Sequence, residues 1–190
     1  MKTKLAMLTL AVSCAFAGNV MALTKEEHKV QKDRIEADYK ANKDKCGTLS
    51  ANAKDICQAE AKGAEKVAKA ELEAQYKPSP SHDKKVRDVK ADAAYDVAKE
   101  KCDDLAGNAK DVCVKDAKAA RTTAKADAKV SKAGAEGNKD RAENVADARK
   151  DANADKSEAQ YKAAKERCDT MSGAAKDTCQ NDAKVKFGMK

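Results

Sequence analysis

Three near-copies of one phrase constrain the fold of this chain more than any other feature. The phrase reads CGTLSANAKDIC over residues 46–57, CDDLAGNAKDVC over 102–113 and CDTMSGAAKDTC over 168–179. Each copy begins and ends with a cysteine, has small residues at its centre and carries Ala-Lys-Asp before its second cysteine. An internal repeat of this kind predicts a row of similar supersecondary units.

The phrase has two possible conformations. In one continuous helix its cysteines would share a face but lie about 16 Å apart, given a rise of 1.5 Å per residue, and could not bond. In a helical hairpin the chain reverses at the small central residues, and the cysteines face each other across two antiparallel helices. Gly107, Asn108 and Gly173 favour the hairpin, because Gly and Asn adopt the left-handed conformation that ends helices.

The hairpin interpretation assigns roles to the other residues of the phrase. Asn52 and Asn108 are predicted N-caps of the second helix, with Asp55, Asp111 and Asp177 as the acids near its positive end. A second set of side chains is predicted to close the turn from opposite sides. This set comprises Leu49, Leu105 and Met171 on one side and Ile56, Val112 and Thr178 on the other.

The N-terminal sequence MKTKLAMLTLAVSCAFAGNVMA is typical of a secretory signal peptide: lysines, then a short apolar run, then small residues. We expect cleavage after Ala22, because Thr24 and Glu27 then form a capping box at the start of the mature chain. Cys14 leaves with the signal, so that six cysteines reach the periplasm, where disulfides persist.

The six cysteines are predicted to form three local disulfides, Cys46–Cys57, Cys102–Cys113 and Cys168–Cys179. Metal binding is disfavoured, because zinc sites space cysteines two to four residues apart and both histidines lie outside the repeats. Thiol–disulfide exchange stays open, because Cys57, Cys113 and Cys179 fall near helix N-termini, where a thiol pKa is depressed. No metal or cofactor is expected.

Composition predicts an all-α fold of three tandem disulfide-stapled αα-hairpins, built from long Ala-rich helices with a thin core. Ala, Glu, Lys, Leu and Arg dominate the chain, whereas Leu, Ile, Val and Phe together number 23 of 190 residues. The predicted order is a signal peptide (1–22), hairpin 1 (23–77), a Pro/Ser linker (78–83), hairpin 2 (84–132), a Gly-containing linker (133–138) and hairpin 3 (139–190). The predicted helices are 24–49, 53–76, 82–106, 109–132, 138–171 and 175–186.

A tyrosine precedes the first cysteine of each phrase by seven residues, two helical turns, and therefore shares its face. Tyr39, Tyr95 and Tyr161 are predicted core residues beside the disulfides, although ligand stacking is an alternative role. Basic and acidic residues alternate at helical spacing, which favours solvated faces with ion pairs over a segregated basic stripe for nucleic acid. No catalytic constellation is recognisable, and an enzyme is not expected.

The phrase CDxLxGNAKDxC, with its tyrosine and the signal peptide ahead of it, resembles a group of exported Ala/Lys-rich proteobacterial proteins labelled TolA-like or cell-envelope biogenesis proteins. The likeness to TolA itself is confined to Ala/Lys/Glu-rich helix such as GAEKVAKAELEAQYK. The resemblance implies the periplasm as compartment, and no catalytic or binding residue.

The leading functional hypothesis is a non-enzymatic periplasmic repeat protein with a structural or interaction role in the envelope. Its expected partner is an envelope protein or an anionic envelope polymer, with no specific nucleic acid, no transmembrane segment in the mature chain and an open oligomeric state. The alternatives are a polyanion-binding or stress-protective protein and a thiol–disulfide or metal-handling protein.

Overall fold

The computed structural model describes residues 23–137 and 139–189, which form six α-helices and no strand. The predicted signal peptide and Cys14 lie outside the described residues. In chain order the helices are α1 (Lys25–Cys46), α2 (Ala51–Tyr76), α3 (Pro80–Cys102), α4 (Gly107–Ala135), α5 (Arg141–Cys168) and α6 (Gly173–Phe187). The predicted all-α fold of three stapled hairpins is confirmed.

The helices run up and down in a single row. Within the described residues each helix packs only on its neighbours in the sequence, so that α2 and α3 join hairpins 1 and 2, and α4 and α5 join hairpins 2 and 3. The hairpins therefore stack side by side. Because successive helices are antiparallel, the turns of α1–α2, α3–α4 and α5–α6 all lie at one edge, which we call the stapled edge.

The core of this row consists of alanine and cystine. Cys46, Cys102 and Cys168 are the largest fully buried side chains, and most of the other buried residues are alanines. The prediction that tyrosines form the core is wrong in this respect, since all three are only half-buried. Alanine lets the helices approach so closely that little room is left between them for a phenol ring. Tyr95, for example, lies against Arg121, whose guanidinium carbon is 5.1 Å from the centroid of the Tyr95 ring.

Local sequence accounts for the helix ends. The predicted capping box is present: the Thr24 hydroxyl accepts from the Glu27 backbone N–H at 3.1 Å, and the Glu27 carboxylate accepts from the Thr24 N–H at 2.9 Å. The Thr24 backbone N–H, and after it the Thr24 hydroxyl, donate to the Glu27 carboxylate and lower the pKa of Glu27.

Two connections are shorter than the predicted linkers 78–83 and 133–138. Helix α3 begins at Pro80, because proline at the first helical position loses no hydrogen bond and the Ser79 hydroxyl accepts from the His82 N–H. Helix α4 continues through Gly134 to Ala135, where Ala133 is buried in the row.

The two interfaces between hairpins repeat the same ion pairs. Glu60 on α2 pairs with Lys101 on α3, and the equivalent residues Asp116 and Arg167 pair between α4 and α5. About three helical turns further from the stapled edge, a second ion pair is also repeated. It is Glu71–Lys90 at the first interface and Asp127–Lys156 at the second. The repeat thus includes the packing of one hairpin on the next as well as the stapled turn.

Candidate interaction surface at the stapled edge

Each turn at the stapled edge is closed by the predicted disulfide. The Cα–Cα distance is 5.6 Å for Cys46–Cys57 and 5.7 Å for the equivalent pairs of the other two hairpins. This separation is normal for a disulfide. A bridge over so short a loop contributes about 3 kcal/mol, mainly by restricting the unfolded chain. In a protein with an alanine core that contribution is a large share of the usual stability.

One position in each turn has left-handed backbone. It is Gly107 in hairpin 2 and Gly173 in hairpin 3, both with φ +55°, and Ala51 in hairpin 1, with φ +47°. A Cβ disfavours this conformation by roughly 1–2 kcal/mol. The two glycines therefore occupy the position where the chain needs them, while Ala51 holds the same backbone under strain.

The asparagines of the phrase link hairpins and do not cap helices, which corrects the prediction for Asn52 and Asn108. The N-cap residues are Ser50, Ala106 and Ser172, and none of them makes a side-chain cap hydrogen bond. Instead, the Asn52 side-chain amide donates to the backbone carbonyl of Glu100 at 2.8 Å, and Asn108 donates likewise to Glu166 at 3.0 Å.

The physical reason lies in the turn. The left-handed residue starts the helix two positions earlier than predicted, so that the asparagine is the second helical residue and projects towards the next hairpin. The carbonyl it meets lies in the last turn of α3 or α5, where it also accepts from the backbone N–H of Asp103 or Asp169. For the same reason the acids predicted to assist capping lie at the fifth helical residue and are exposed. These are Asp55, Asp111 and Asp177.

A charge pair crosses two of the three turns. Lys110 lies 3.0 Å from Asp103, and Lys176 lies 2.8 Å from Asp169. The hydrogen bond from Lys176 lowers the pKa of Asp169. Hairpin 1 retains the lysine as Lys54 but has Gly47 in place of the acid.

Three apolar side chains stand exposed along the stapled edge, one in each turn. They are Leu49, Leu105 and Met171, with 42, 45 and 45% of their surface exposed. The prediction that they close the turns is wrong, because the disulfide already joins the two helices and the side chain points outward from the bend. Neighbouring members are two helix spacings apart, about 16–20 Å. We call this set the apolar row.

The cysteines are poorly placed for exchange chemistry. Reduction begins with attack on a sulfur atom, so that access to the sulfur controls its rate. Cys46, Cys102 and Cys168 are fully buried, and their partners are half-buried. Across residues 23–137 and 139–189 no cluster of three or more His, Cys, Asp or Glu side chains is arranged to hold a metal ion.

Comparison with family models, curated proteins and solved structures finds no match. The function must therefore be inferred from the geometry of the chain itself. No helix in the described part of the chain is both long enough and apolar enough to cross a membrane.

Sequence reasoning missed the asparagine link and the apolar row. The signal for the first was present: the third repeat, after which no further hairpin is described, has Ala174 where the others have asparagine.

Proposed function

We propose that this protein is a non-enzymatic scaffold of the periplasm that binds another protein of the cell envelope along its stapled edge. The observation that carries the proposal is the apolar row. Single exposed apolar residues are common on any protein surface, but these three occupy the same repeat position on one edge. The disulfides and the inter-hairpin asparagines fix the spacing between them.

The chemistry of the row favours a protein partner over an anionic polymer. Leu and Met side chains gain free energy by leaving water, roughly 25 cal/mol for each Å² buried, and have nothing to offer a charged polymer. Two of the three equivalent lysines beside the row are paired with acids, as Lys110–Asp103 and Lys176–Asp169. The polyanion-binding hypothesis stays a prediction without further support.

The burial of the cysteines disfavours the thiol–disulfide hypothesis. A catalytic or redox-sensing pair needs one exposed sulfur of low pKa, whereas one sulfur of every pair here is fully buried. We assign the disulfides a structural role: they hold the turns of three hairpins, and hence the apolar row, in register.

Site-specific photocrosslinking in the producing bacterium tests the proposal. A photoreactive phenylalanine analogue replaces Leu105 in one strain and Met171 in another, and the matched control carries it at Gln75, an exposed residue near the opposite edge. Both edge positions should crosslink to one envelope protein, and Gln75 should not. Equal crosslinking at Gln75, or no protein adduct at either edge position, contradicts the proposal.

A triple variant supplies the second readout. Replacing Leu49, Leu105 and Met171 with serine should abolish recovery of the crosslinked partner while the circular dichroism spectrum and melting temperature stay close to those of the parent, because the three side chains are exposed. Retention of the partner by a folded triple variant would also contradict the proposal.

A further inference from the structure

The outer face of α1 repeats the surface that α3 and α5 bury against the preceding hairpin. Counting back from the first cysteine of each phrase, five positions of that surface keep their residue type. The equivalent sets are Val30, Val86 and Ala152; Arg34, Lys90 and Lys156; Ala37, Ala93 and Ala159; Ala41, Val97 and Ala163; and Lys45, Lys101 and Arg167. On α1, however, no described residue covers it, and Val30 is 67% exposed.

The opposite end of the row carries the complementary surface. On α2 and α4 the residues that meet the next hairpin include Glu60 and Asp116, with Gly63 and Ala119 one turn further on. A Cβ at Gly63 would lie 3.0 Å from that of Ala93, and Ala119 and Ala159 line one groove between α4 and α5. The equivalent residues of α6 are Asp182 and Val185, and because valine is larger than glycine or alanine, α6 would lie further from its neighbour than α2 lies from α3. Val185 is 83% exposed, the highest value among the large hydrophobic residues exposed in the described chain.

We propose that copies of this protein associate head to tail, with α6 of one copy packed antiparallel on α1 of the next in the register of the inter-hairpin interfaces. In that register Asp182 meets Lys45, and Val185 meets Ala37. Neither Asp182 nor Lys45 has an ion-pair partner among the described residues. The contact would extend the established packing of hairpin on hairpin across the boundary between two chains.

Charge selects this pairing over the symmetric ones. A contact of α1 with α1 would bring Arg34 and Lys45 of two copies together, and a contact of α6 with α6 would oppose two Asp182 side chains. The heterologous contact instead places Asp182 opposite Lys45. Because α1 and α6 lie at opposite ends of the row, it cannot form within one chain, and it generates rings or open filaments. The stapled edges of successive copies align, so that the apolar row continues from copy to copy.

The contact is weaker than the internal interfaces for two reasons. Helix α6 ends at Phe187, so that it covers α1 only from Lys45 to about Ala37. The last repeat also has Ala174 where the internal interfaces have the asparagine that donates to a carbonyl of the next hairpin. The carbonyl available on α1 is that of Asp44, the equivalent of Glu100 and Glu166.

This difference provides a gain-of-function test. In the oxidised protein exported to the periplasm and purified, sedimentation velocity at low salt should show mass rising with protein concentration. Ala174→Asn should tighten the association about five- to tenfold, the value of one added hydrogen bond of ordinary strength. Lys45→Glu and Asp182→Lys should each weaken it, and a mixture of these two variants should associate through the restored opposite charges. Lys150→Glu, an exposed change on α5 away from both ends, is the control.

A crosslinking pair fixes the register. In the Ala37→Cys, Val185→Cys variant a short bismaleimide, which leaves the oxidised staples unreacted, should give a ladder of dimer, trimer and higher species. Each single variant should give none. A strictly monomeric protein at every concentration overturns the proposal, as does efficient dimerisation by Ala37→Cys alone, which would place α1 against α1. Association that none of the charge variants alters, in folded protein, also overturns it.

Discussion

The side-chain amide of Asn52 donates a hydrogen bond of 2.8 Å to the backbone carbonyl of Glu100, and so ties the first stapled turn to the last turn of α3 in the second hairpin. Asn108 and Glu166 repeat the bond at the next boundary. A residue of the turn thus serves the packing of hairpin on hairpin. This link explains why three hairpins with thin alanine cores form one continuous row.

Loss of the asparagine should therefore destabilise the protein. We expect Asn52→Ala and Asn108→Ala each to lower the free energy of unfolding by about 1 kcal/mol, because a hydrogen bond between two hairpins is lost. The matched control is Asn153→Ala at an exposed site in α5, which should raise stability slightly, since alanine is the better helix former. Urea titration of the oxidised proteins measures all three. Destabilisation by Asn153→Ala equal to that of Asn52→Ala would count against the link.

Glycine usually destabilises a helix relative to alanine, but at the left-handed position in each turn we expect glycine to be the more stable residue. Ala51→Gly should stabilise hairpin 1 by about 1 kcal/mol, and Gly107→Ala and Gly173→Ala should destabilise their hairpins by similar amounts. No atom within 4 Å would obstruct a Cβ at either glycine, so that the cost is conformational. Gly134→Ala, in a helix without such backbone, should instead stabilise by up to about 1 kcal/mol. Thermal unfolding of the four variants should give these signs, and a gain from Gly107→Ala would refute the assignment.

The three staples should differ in what they protect. Helix α6 has 15 residues and packs only on α5 within the described chain, whereas α4 packs on both α3 and α5. Isolated helices of about that length are marginal in water. Replacing Cys168 and Cys179 with serine should therefore release α6 to rapid amide hydrogen exchange in dilute solution. The same change at Cys102 and Cys113 should lower global stability by about 3 kcal/mol but leave α4 protected. If α4 in the second variant exchanged as fast as α6 in the first, packing on neighbouring helices would not be what protects a helix that has lost its staple.

Acid should weaken the contact between α3 and α4 through Asp92. Burial by itself raises the pKa of this carboxyl, but hydrogen bonds from Lys125 at 2.7 Å and Arg121 at 2.5 Å outweigh it, and the pKa is lowered. A carboxyl with a lowered pKa contributes stability above its unfolded value of about 3.9, and this contribution is lost as pH falls through the folded value. Asp92→Asn should flatten the fall in urea midpoint between about pH 4 and pH 2. An unchanged slope in that variant would remove Asp92 from the account.

The sequence allowed the hairpins, disulfides and capping box to be predicted, because these depend on neighbours close in the chain. Glycine at the bend, cysteines ten residues apart and Thr24 with Glu27 are local signals. The residues of the candidate site were harder to predict from the sequence. Asparagine is a residue type favoured at N-caps, and only the distant partner Glu100 reveals the role of Asn52. Leu49 reads as a turn-closing residue unless the disulfide is known to close the turn already. The half-buried tyrosines show that alanine packing, which sets the helix spacing, overrode the expectation from residue size.

The most direct measurement is disulfide mapping of the protein recovered from the producing cells, with thiols blocked at harvest. We predict three bridges, Cys46–Cys57, Cys102–Cys113 and Cys168–Cys179, with no free thiol among these six cysteines before or after mild oxidative or reductive stress. Bridges between repeats, a substantial free-thiol fraction that varies with growth conditions, or thiolates holding a metal would contradict the structural role assigned to the staples.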